Sequence, residues 1–171
     1  MEKFKTPVKF ILFITLLSGV LWLGSYTARL FLTYQLFQPK NLSFKSYINA
    51  SNITGIYTTL TPIITFTFIC YIVFLIGFTL FLFVSKISLK KEGWLFIILL
   101  IIYITAPFEL FLMTLDWKTI MILLTENFKS EEITQLFMKR LSLLSSFSLI
   151  EIFSFVGIIF LAVFKPLRIK S

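Results

Sequence analysis

A chain of 171 residues has room for one domain, but 58% hydrophobic and only 14% charged residues, with a mean hydropathy of +0.95, exclude a soluble globular protein. The absence of histidine excludes bis-histidine haem, histidine metal sites and Ser-His triads, and the single cysteine, Cys70, excludes an intrachain disulfide. The net charge of +8 sits at the ends of apolar runs instead of gathering into a basic groove, which excludes nucleic-acid binding. The composition predicts an all-α integral membrane protein: an antiparallel bundle of four transmembrane helices, both termini cytoplasmic, with a short amphipathic helix in the second outer loop.

Lys3, Lys5 and Lys9 precede an uncharged run from Phe10 to Ala28. That run approaches the ~20 residues a membrane-crossing helix needs and exceeds a typical signal-peptide core of roughly 7–15. Tyr26-Thr27-Ala28 also sets a bulky residue where cleavage requires a small one, so a first membrane helix is expected at 8–33. Pro39 closes it, and the Asn, Ser, Thr, Lys40, Lys45 and Gly55 that follow predict an outer loop over 34–61. Tyr47, Ile48, Ile53, Ile56 and Tyr57 suit the bilayer interface. Asn41-Leu42-Ser43 and Asn52-Ile53-Thr54 match the glycosylation acceptor pattern, which matters only in a glycosylating compartment.

An uncharged run predicts the second membrane helix at 62–85, and Lys86, Lys90, Lys91 and Glu92 make a short basic connector, 86–92. The third helix is expected at 93–115, with Asp116, Trp117 and Lys118 at its far interface. Within the outer loop 116–140, apolar residues Ile120, Leu123, Leu124 and Phe128, then Ile133, Leu136 and Phe137, recur at helical spacing. Ser130 before Glu131 and Glu132 predicts a helix start with Ser130 as cap. The fourth membrane helix is expected at 141–164, ahead of a tail at 165–171.

Lys3, Lys5, Lys9, Lys86, Lys90, Lys91, Lys165, Arg168 and Lys170, more than half of the 16 basic residues, fall on the short segments of one side. The positive-inside rule puts that side in the cytoplasm, of a bacterial inner membrane on our reading.

Two acids fall inside membrane runs, Glu109 in the third and Glu151 in the fourth. A charged side chain at a helix centre in lipid costs about 2.5–3.5 kcal/mol on insertion scales, so such groups face the bundle interior, find partners or mark a site. Counted from the outer interface, both lie at similar depth and are expected to face each other. Either has Arg29 or Arg140 as a possible partner. Ser18, Trp22, Ser25 and Arg29 form one face of the first helix, and Thr105, Ala106, Glu109, Met113 and Asp116 one face of the third. Ser148, Glu151 and Ser154 form a polar stripe on the fourth, and Thr54, Thr58, Thr61 and Thr65 repeat the pattern beside the second if its helix continues through Pro62. Pro107 lacks an N–H, so a kink is expected just before Glu109.

The candidate ion, proton or assembly site is therefore Glu109, Glu151, Arg29 and Asp116. No catalytic residue, metal or cofactor is expected. The leading functional expectation is a non-enzymatic accessory or scaffold subunit, partnered by lipids and by another membrane protein or copies of itself. The alternative is a small transporter or channel-like protein binding a proton or cation at an outward-facing Glu109/Glu151 site, with an intramembrane hydrolase third.

Overall fold

The computed structural model describes residues 5–38, 42–125, 129–143 and 146–167. Lys3, Pro39, Lys40, Asn41, Phe128, Arg168 and Lys170, used in the loop, helix and charge readings above, lie outside the described residues. The described residues form five helices: α1 (Thr6–Leu36), α2 (Ile53–Ser85), α3 (Gly93–Leu123), α4 (Ser130–Ser142) and α5 (Phe147–Phe164). Four of them, α1, α2, α3 and α5, are long and apolar enough to cross a bilayer, which makes this an integral multi-pass membrane protein. No strand is present among the described residues beyond one isolated bridge between Phe37 and Phe44.

Three helices outrun their expected limits. α1 runs over Thr6–Leu36 instead of 8–33, α2 starts at Ile53, so residues 53–61 are helix instead of outer loop, and α3 continues past 115 to Leu123. The reason is a second apolar core, beyond the lipid-length segments, in which Leu36, Phe37, Ile53, Tyr57, Ile64, Ile120, Ile133 and Phe137 are buried together. Ile53, Tyr57, Leu60 and Ile64 recur at i, i+4, i+7 and i+11, one helical stripe, and it is this stripe and not the threonines that points inward. Thr54 and Thr58 are exposed, and Thr58 returns its hydroxyl to the Thr54 carbonyl at 2.9 Å, which corrects their expected place inside the bundle.

The amphipathic segment is one helix, α4, placed at 130–142, and the last membrane helix begins at Phe147 instead of 141. Ser130 is its first helical residue; Lys129 holds the cap position and no side chain caps it. α4 docks on the start of α2 through a Tyr57–Thr134 hydroxyl hydrogen bond of 2.6 Å and a Tyr57–Phe137 ring stack at 5.2 Å.

The larger core joins α1, α2, α3 and α5 through Trp22, Tyr26, Tyr71, Phe74, Phe78, Ile98 and Phe155. α1 and α2 pack tightly where Gly77 meets Thr15: a Cβ on Gly77 would lie 2.6 Å from the Thr15 hydroxyl, too close without a shift of that side chain. Towards Val8, Phe81 and Leu95 this core ends among lysines. α2 and α5 both terminate there in a lysine with left-handed backbone, Lys86 and Lys165, which sets positive charge against the negative ends of their helix dipoles.

Candidate functional site, a buried arginine and carboxylate cluster

Between the two apolar cores the interior is ionic. Glu109 and Asp116 are seven residues apart on α3, two turns, and therefore lie on one face. Arg29 of α1 grips Asp116 in a two-pronged bond, Nη1 donating to Oδ2 at 2.7 Å and Nη2 donating to Oδ1. Arg140 of α4 spans the two acids: Nε donates to Asp116 Oδ1 at 2.9 Å and Nη2 to Glu109 Oε1 at 3.1 Å. Arg29, Asp116 and Glu109 are buried, and Arg140 is partly buried, its side chain 11% exposed. Planar forks matching carboxylates are what makes arginine, and not lysine, suited to such a place.

Arg140 sits outside the membrane-crossing helices, and its ionisation is set by opposed effects. Burial alone would lower its pKa, but Asp116 and Glu109 together outweigh burial and hold it above the usual arginine range. Its guanidinium also lies 6.0 Å from the centre of the Tyr26 ring, within cation–π reach.

Glu151 is 4% exposed and stands apart from this chain of ion pairs: no described residue hydrogen-bonds its Oε2. It lines a small cavity of about 10 Å³ with Tyr71, Thr105, Ser154 and Phe155. A second cavity, of about 30 Å³, lies among Tyr26, Arg29, Thr33, Arg140 and Ser148, one turn of α5 away. Each is on the scale of one or two water molecules. Three further buried atoms, Trp22 Nε1, the Tyr26 hydroxyl oxygen and Glu109 Oε2, also have no hydrogen-bond partner among the described residues.

The structure thus brings Arg29, Asp116 and Glu109 into one network and leaves Glu151 beside it. Pro107 is exposed on the opposite side of α3, so its ring does not line the cluster. Arg140 is the centre that a loop reading hides. Its signal is present all the same: Ile133, Phe137 and Arg140 recur at i, i+4 and i+7, which puts the arginine on the apolar, buried face of α4. Ser18 and Trp22 are buried as their face on α1 requires, whereas Tyr26, one residue off that face, is buried with them.

Comparison with protein-family models, with curated proteins and with solved structures found no match.

Proposed function

We propose that the chain is a non-enzymatic, multi-pass component of a membrane assembly. Its helices form an antiparallel bundle with both termini in the cytoplasm and α4 lying over the outer end, in a bacterial inner membrane. The observation that carries this reading is the closure of the ionic network: Arg29 and Arg140 spend their charge on Asp116 and Glu109, tying α1, α3 and α4 together. Ionic groups so engaged fasten helices and are poorly placed to do chemistry on a substrate. A hydrolase using two carboxylates is disfavoured because Glu109 is committed to Arg140.

Permeation is also disfavoured. From the cluster to the lysine-bearing end the buried side chains include Phe78, Phe81, Leu95 and Ile98, and the nearby hydroxyls turn back on their own helix, Thr15 donating to the Ile11 carbonyl at 2.8 Å and Ser18 to the Thr15 carbonyl at 3.0 Å. Outward, the chain offers large apolar side chains to lipid or to a partner. α5 is the least covered of the four spans and presents Phe153 and Phe160 on its open face.

The test is native mass spectrometry of the protein extracted with its surrounding lipid. The expected particle contains more than one chain, in fixed ratio, and Phe153→Ala with Phe160→Ala returns it to a single chain. A wild-type particle holding one chain and lipid alone overturns the assembly reading.

A further inference from the structure

The cluster sets two guanidiniums, buried Arg29 and partly buried Arg140, against three buried carboxyls, Asp116, Glu109 and Glu151. Asp116 takes hydrogen bonds from both arginines and Glu109 from one. Glu151 takes none from either. If every acid were ionised the interior would carry one uncompensated negative charge, a state that low-dielectric surroundings penalise. One monovalent positive charge is missing from the cluster.

We propose that Glu151 is a proton-binding site that supplies this charge and exchanges it with water through the cavity beside Arg140 and Ser148. Every element packed near Glu151 contributes a titratable neighbour: Tyr26 from α1, Tyr71 from α2, Glu109 from α3 and Arg140 from α4. None of these neighbours except Arg140 is a cation, and Arg140 already faces two carboxylates. Ser154, one turn on along α5, lines the cavity that Glu151 itself lines, and Ser148, one turn back, lines the larger cavity beside Arg140. Release passes the proton from the Glu151 carboxyl to a water molecule and leaves a carboxylate; uptake reverses this, so no other reactant is needed.

The neighbours favour a proton over a metal cation. A bound alkali ion needs several oxygens around it, whereas the smaller cavity offers Glu151, Thr105 and Ser154 among aromatic and aliphatic walls in a volume of about 10 Å³. Thr105 moreover directs its hydroxyl to the Ile101 carbonyl at 3.0 Å. The site requires no partner chain, so it stands or falls apart from the assembly reading.

The experiment is infrared spectroscopy of the full chain in liposomes, titrated with pH in H2O and D2O, on wild type, Glu151→Gln and Glu109→Gln. The expected result is a buried, un-ionised carboxyl C=O band that fades as pH rises, is lost at every pH in Glu151→Gln, and in Glu109→Gln, where two arginines face only two carboxyls, is present at low pH but fades at a lower pH than in wild type. Absence of the band, or its persistence in Glu151→Gln, overturns the proposal. So does a carboxyl that ignores pH and responds to sodium at fixed pH, which identifies an alkali-cation site instead. Should Glu151→Gln not fold, Glu151→Asp serves: a shifted band supports the assignment, an unshifted one sinks it.

Discussion

Asp116 receives both arginines, so its loss leaves two buried cations short of a counter-charge. Removing one partner of a buried ion pair costs about 3–5 kcal/mol, because the survivor stays desolvated without compensation. Asp116→Asn is therefore expected to lower thermal stability in detergent sharply. The double change Asp116→Leu with Arg29→Met, which removes charge from both sides, should cost markedly less; an equal or larger loss in the double variant would show that the pair contributes by shape alone. Glu109 and Glu151 were legible in the sequence because charge inside an apolar run is costly enough to need a partner, whereas Arg29 and Asp116, at the outer ends of their runs, were marked only by sharing a helical face with the polar residues below them. Arg140 was obscured by its setting: in a segment rich in charged residues, an arginine is by default solvated. Only its coincidence with the apolar stripe of Ile133 and Phe137 marks it.

At the scale of helices, hydropathy locates where lipid stops and not where helix stops. Residues 53–61 contain Thr54, Gly55, Thr58 and Thr59, composition that suits a loop, yet Ile53, Tyr57 and Leu60 bury one side of a helix against α4 and the end of α3. The periodic stripe was the better guide than the residue types. The α1–α2 seam depends on a single missing methyl group. Gly77→Ala places a Cβ against the Thr15 hydroxyl, which is itself bonded to the Ile11 carbonyl, and overpacking of this kind costs about 1–3 kcal/mol. Unfolding measurements should show that loss, and Thr15→Ala in the same chain should recover most of it. No recovery would mean that the seam shifts elsewhere.

For the molecule as a whole, the proposed topology makes a labelling pattern. In a Cys70→Ser background, Ala50→Cys is expected to react with a membrane-impermeant maleimide added to intact cells, and Lys90→Cys only after the membrane is opened; both positions are exposed. The reverse pattern would invert the bundle. α1, with 31 residues, is about 46 Å long at ~1.5 Å per residue, against a hydrocarbon thickness of ~30 Å. α2 and α3 are as long or longer, whereas α5 has 18 residues, and in the proposed topology α4 covers the ends that lipid does not reach. The arginine cluster marks the seam between these two zones, with Trp117 outward at the same level. A seam at fixed height acts as a depth gauge. In the proposed topology thicker bilayers would bring acyl chains up around the ionic belt and thinner ones strip them from the apolar faces below, which would match the protein to membranes of one thickness.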